Sequence, residues 1–291
     1  MAAAGASLKV ANVWVRYWLW VVVGLVSLVG VVLYIFPRRT EDLFAWTIGS
    51  PMTAAFLGAS YWASIPLSLL GSFRRYWADL RIAFHGVGVF SVLTLVATFN
   101  HLDKFHTSSV PGVIWIATYI VAPFVIFGIV IWMGRAMGAD PPRIAPLATW
   151  ERALLLLISL GMVPLGLALF IAPGWADGVW PWALTPLTGQ AVGAWLVGIG
   201  TVVLHICWEN DWVRIAPGPP AFALLGVLHL VAVARFNAEL HWSGLGAWLY
   251  LACLVGFTAI GLYGIVKCRR LGIRLTPAGM AQRPLAPAQA S

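Results

Sequence analysis

The sequence predicts an all-α, polytopic transmembrane helical bundle: eight spans arranged as two parallel four-helix repeats, with both termini in the cytoplasm. Three observations carry that expectation. The 291 residues are 61% hydrophobic and only 10% charged, with a mean hydropathy of +0.88, too little charge to coat a water-soluble globule. Windows of about 20 predominantly apolar residues, the length needed to cross roughly 30 Å of hydrocarbon, recur along the chain. The two halves also repeat one another in order. A soluble enzyme, a disordered chain and a disulfide-rich secreted domain are thereby excluded. The net charge of +8 marks cytoplasmic loops in so apolar a chain; the partner it implies is the lipid bilayer and not nucleic acid.

The apolar windows fall at 17–37, 43–73, 82–102, 105–134, 153–176, 178–208, 215–234 and 240–266. Pro51, Pro111, Pro186 and Pro219 stand where helices begin, positions at which a missing N–H costs no hydrogen bond. The first window is followed by Pro37-Arg38-Arg39 without a small-residue cleavage motif, and is expected to be an anchor. With the N-terminus inside, fourteen Lys and Arg lie on the cytoplasmic side and four (Arg38, Arg39, Lys104, Arg235) on the outer side, the bias expected of positive-inside topology. Most of the 17 Trp then fall near one or the other headgroup level. The composition reads as bacterial, which places the chain in the inner cell membrane as a multi-pass protein.

The repeat joins matches at offsets of 133–137. Arg16 and Pro37 answer Arg152 and Pro173. Pro51-Met52-Thr53 with Gly58-Ala59 answers Pro186-Leu187-Thr188 with Gly193-Ala194. Phe99-Asn100 answers Phe236-Asn237, and Trp115 answers Trp248. An even number of spans per copy gives the copies the same orientation, related by an axis along the membrane normal. The organisation that follows is a cytoplasmic N-terminus (1–15), a first four-helix repeat (16–138), a cytoplasmic linker (139–151), a second four-helix repeat (152–270) and a disordered cytoplasmic tail (271–291) rich in Ala and Pro.

Three sets of residues are candidates for function. The recurring polar and aromatic positions Trp46, Thr53, Asn100, Trp182, Thr188 and Asn237 are expected to line an outward-facing cleft that binds or passes a small molecule, lipid or ion. Asp103, His106, Glu239 and His241, on the outer loops, have the donor types that hold a divalent metal. His85 and His205 lie at equal depth on different helices, as axial ligation of a haem requires. Two further readings follow from these sets: a haem- or metal-binding redox protein, or, given how few ionisable groups are buried, a non-transporting structural subunit with membrane-protein partners. His229 reads as a helix–helix hydrogen-bonding residue, Cys207, Cys253 and Cys268 as inert thiols, and Glu209-Asn210-Asp211 as a solvated cytoplasmic loop. No glycine-rich phosphate loop or nucleophile elbow marks an enzyme.

Overall fold

The computed structural model describes residues 7–282, the side chains of 176–178 apart. Eight helices are long and apolar enough to span a membrane: α1 Val13–Ile35, α2 Pro51–Ser72, α3 Ile82–Asn100, α4 Val110–Arg135, α5 Thr149–Ile171, α6 Pro186–Glu209, α7 Gly218–Arg235 and α8 Leu245–Arg270. The described residues form no β-strand, only three isolated bridges, Leu8–Ala139, Val10–Tyr76 and Trp46–Phe105. Eight helices of this length and hydropathy fit an integral membrane protein of the multi-pass type.

Local chemistry sets the helix ends. Asn12 caps α1 by accepting from Trp14 N at 3.0 Å, Ser50 caps α2 through Thr53 N at 3.1 Å, and Ser109 caps α4 through Gly112 N at 3.1 Å, each meeting one of the donors a helix start leaves open. Pro51, Pro111, Pro186 and Pro219 all occupy the first turns of their helices. Pro66 divides α2 into Pro51–Ala63 and Ile65–Ser72, since its ring removes one backbone donor. Asn210 ends α6 in the left-handed region, φ 44°, where a short amide side chain is tolerated.

The helices sort into an inner and an outer set. Within α2 and α6, 72% of the spanning window is buried, against 22% in α1, α4 and α5 and 17% in α8. The four outer helices are also the most apolar. In a bilayer a helix that faces acyl chains must be apolar all round, whereas one packed on protein can carry small and hydroxyl residues. The packed neighbours are α1–α2, α2–α7 and α7–α8 on one side, and α4–α3, α3–α6 and α6–α5 on the other. Each half of the chain therefore gives two helices to each row. The 16–138 and 152–270 segments interlock instead of packing as two separate four-helix units.

Glycine sets the closest approaches. A Cβ on Gly58 would lie 2.6 Å from Tyr34 N, and one on Gly193 would lie 2.6 Å from Gly166 O, so α1 meets α2, and α5 meets α6, backbone to backbone.

The end of the bundle bearing the termini is held by buried ions. Glu209, 1% exposed, receives the Arg81 guanidinium through Nε and, at 3.0 Å, through Nη2. Arg214 Nη1 donates to Oε2, which it shares with Arg81 Nη2, at 2.8 Å, and His205 Nε2 lies 3.1 Å from Oε1. Arg81 also meets Asp140 at 2.8 Å. The two acids together hold its pKa above the ordinary arginine value despite the opposing effect of burial. Asp211, fully buried, accepts from Ala145 N at 2.8 Å. The expectation of a solvated loop at 209–211 is thus overturned: these residues clamp the linker to the ends of α3 and α6. The tail is also corrected in part. Ile273 and Met280 are 2% and 1% exposed, and Arg74, buried at the end of α2, donates to Met280 O and, at 2.9 Å, to Val213 O. Positions 283–291 lie outside the described residues.

Candidate functional site

One large cavity of about 400 Å³ opens beside the bundle's first half, within the size range of ligand pockets. Helices α1 and α4 form its walls, each packed chiefly on an inner helix. Its floor comes from α2, α3, α6 and α7. Along α1 the lining runs from Trp18 to Val32, fourteen residue-to-residue steps or about 21 Å of helix. The space is therefore a long lateral groove.

No charged residue lines this groove. Its polar side-chain groups are hydroxyls and the indoles of Trp18, Trp115 and Trp195, and several hydroxyls are engaged by their own helices: Ser64 Oγ donates to Tyr61 O at 2.7 Å, Ser91 Oγ to Val87 O at 2.7 Å, and Ser60 Oγ to Phe56 O at 3.0 Å. Self-bonding of this kind lets a hydroxyl face hydrocarbon at little cost. Tyr61 and Tyr119 join floor to wall through their hydroxyls, 2.6 Å apart. Behind the floor His229, 2% exposed, has Nδ1 2.7 Å from Leu225 O and Nε2 3.3 Å from Ser60 Oγ, which matches the helix–helix bonding expected of it.

The residues expected to form an outward cleft lie elsewhere, at the end of the bundle opposite the termini. Trp46 is 2% exposed and wedged among Phe44, Phe105 and Trp115 at ring distances of 4.5, 5.0 and 4.9 Å. Trp182, 1% exposed, sits beside Trp180 and Tyr250 and donates its indole N–H to Thr53 Oγ1 at 2.8 Å. Thr188 is spent on the α6 cap, donating to Thr185 O at 3.1 Å. Asn100 is exposed and donates to Gln190 Oε1 at 3.3 Å. Asn237 is exposed, and its carbonyl accepts from Trp242 Nε1 at 2.8 Å. Of the six, Trp182 and Thr53 are joined by a hydrogen bond, and none lines the large groove. Aromatic packing fills the space the cleft would need.

The loop acids and histidines are employed separately. Asp103 is exposed and paired with Lys104 at 2.8 Å, whose hydrogen bond holds its carboxyl below the usual aspartate value. His106 has Nε2 3.3 Å from Thr47 Oγ1, and its N–H donates to Ala45 O at 2.9 Å. His241 is exposed, and its N–H donates to Pro181 O at 2.8 Å. Glu239 crosses to the start of α2, accepting from Ser50 Oγ at 2.6 Å and Met52 N at 3.2 Å, where a carboxylate complements the helix dipole. Among the described residues no three His, Cys, Asp or Glu are grouped as metal ligands.

His85 and His205 do meet, but too closely for haem. Their ring centroids are 4.1 Å apart, edge to face. Two imidazoles on one iron keep their centres about 6 Å apart, from two Fe–N bonds of about 2 Å and the offset of each nitrogen. Helices α3 and α6 also touch there, since a Cβ on Gly86 would overlap the Val202 side chain, which leaves no room for a macrocycle.

The groove residues escaped the sequence reading, although one signal points to them. Ser60, Ser64 and Ser68 are spaced four apart on α2, and all three line the groove, as one face of a helix requires. No family model matches this chain, and it is similar at a significant level to no curated protein and no solved structure.

Proposed function

We propose that this protein binds a long, uncharged lipid chain in the lateral groove between α1 and α4. The carrying observation is the groove itself: about 400 Å³, free of charged residues and running about 21 Å along α1, between two helices whose other faces are lipid-exposed. A charged occupant would be desolvated there without a counter-ion, whereas acyl or isoprenoid chains lose nothing on leaving the bilayer for an apolar wall. The sealed ends favour lateral entry. Ions and the linker close one end, and rings of Trp, Phe and Tyr close the other.

Two features of the arrangement belong to the same proposal. The chain arose by duplication of a four-span unit, because exchanging α1–α4 with α5–α8 leaves the helix pairing unchanged and the loop bonds His106 N to Ala45 O and His241 N to Pro181 O are counterparts. The end bearing the termini faces the cytoplasm, in keeping with the fourteen basic residues on that side.

The test uses the protein in nanodiscs with a phospholipid carrying a diazirine in its acyl chain. Labelling is expected at Thr118 and Val26, which line the groove, above that at Phe124 and Leu160, which are 74% and 70% exposed. The variants Ser64→Trp and Thr118→Trp fill the groove and lose the excess. Equal labelling of groove and outer faces would refute the proposal.

A further inference from the structure

A small recess of about 10 Å³ adjoins the groove and shares Tyr61, Phe90, Trp115 and Trp195 with it. Its size is near the least that holds one water-sized group. Trp46 and Thr94 both line it. They are 2% and 5% exposed, and neither Trp46 Nε1 nor Thr94 Oγ1 has a hydrogen-bond partner among the described residues. Such orphans are uncommon, because each carries the full cost of desolvation. The contrast with Trp182 sharpens the point. Trp182 Nε1 donates to Thr53 Oγ1 at 2.8 Å, whereas Thr188, which stands to Trp46 as Thr53 stands to Trp182, is turned to its own cap.

The indole N–H only donates, while a threonine hydroxyl both donates and accepts. What satisfies both is an oxygen with two lone pairs. Every residue lining the recess is uncharged, so that oxygen belongs to a neutral group and not to a phosphate or carboxylate. We propose that the occupant of the groove carries a neutral hydroxyl or carbonyl oxygen that enters this recess, accepts from Trp46 Nε1 and pairs with Thr94 Oγ1. This rests on the lipid-binding reading above and narrows it to neutral lipids with a single oxygen at one end, such as long-chain or isoprenoid alcohols and ketones.

The test is competition against the diazirine phospholipid in nanodiscs, with hexadecanol and hexadecane as competitors. In the wild-type protein hexadecanol should suppress groove labelling at about one-tenth the concentration hexadecane needs, the factor that one to two net hydrogen bonds supply. In Thr94→Val, which keeps the side-chain shape, and in Trp46→Phe, that preference should fall to the ratio seen at Leu160. Equal potency in the wild type, or a preference kept in both variants, would overturn the inference, the first outcome assigning the recess to a structural water while leaving the groove reading intact. Labelling that neither competitor suppresses would instead sink the groove reading, and this inference with it. Should Trp46→Phe fail to fold, Thr94→Val alone decides.

Discussion

Glu209 is the acid on which the terminus-bearing end depends, and neutralising it with Glu209→Gln tests whether that end is held by charge. The carboxylate is 2% exposed and faces Arg81, Arg214 and His205. Removing one member of a buried pair leaves its partners charged and desolvated, at a cost of about 3–5 kcal/mol. Arg81 keeps Asp140 at 2.8 Å, and its side chain is 21% exposed, so the lower bound of about 3 kcal/mol applies. At about 2–4 °C per kcal/mol for chains near this size, the melting temperature should drop by about 6–12 °C. Intrinsic tryptophan fluorescence during a thermal ramp in mild detergent measures it. The control is Asp42→Asn, whose partner Arg39 is 3.4 Å away with both side chains more than 60% exposed; exposed pairs of this kind contribute little, and no shift is expected. A Glu209→Gln protein that melts with the wild type would show that solvent or a neighbouring group already carries the load, and the argument from burial would fail.

Two further outcomes follow from the packing and the charge distribution. Gly58→Ala should lower stability by about 1–3 kcal/mol through overpacking against the α1 backbone, while Gly24→Ala, with nothing within 4 Å of the new methyl, should leave the melting temperature unchanged or raise it slightly; equal effects would refute the close approach. In intact cells, a membrane-impermeant maleimide should label Asp103→Cys, a 66% exposed side chain, and should label Met137→Cys, at a 93% exposed position, only after permeabilisation. The reverse pattern would invert the proposed orientation.

The spans were legible because span length and charge are local properties. Each of the eight apolar windows overlaps one spanning helix, and the four initiating prolines mark the first turns of α2, α4, α6 and α7. Helix pairing was not legible, since windows and offsets say nothing about which helix lies beside which, and interlocked rows suit the same pattern as two separate bundles. The repeat also misleads at single positions. Trp248 matches Trp115 in sequence, yet it is 55% exposed, and the ring that packs on Trp182, as Trp115 packs on Trp46, is Tyr250. The charged run 209–211 read as solvated because a sequence shows charge without showing the two arginines, Arg81 and Arg214, and the His205 ring that pack upon Glu209. The glycine contact that brings the His85 and His205 rings within 4.1 Å has no signature in spacing.

The distribution of hydroxyls argues for a lipid chain over a hydrated solute. A path for ions or polar solutes needs side chains whose donors and acceptors are free to replace water. Along the groove Ser60, Ser64 and Ser91 spend their protons on the carbonyls of their own helices, and the Tyr61 and Tyr119 hydroxyls share one hydrogen bond. Hydroxyls serve here as small residues, keeping α2 and α3 narrow so that a chain can lie between α1 and α4 without displacing a polar bond. Two buried groups without a partner, Trp46 Nε1 and Thr94 Oγ1, belong to residues that line the recess where it leaves the groove. A conduit would repeat such donors along its length to move a solute from site to site, whereas a surface that holds one chain in one register needs a single polar stop.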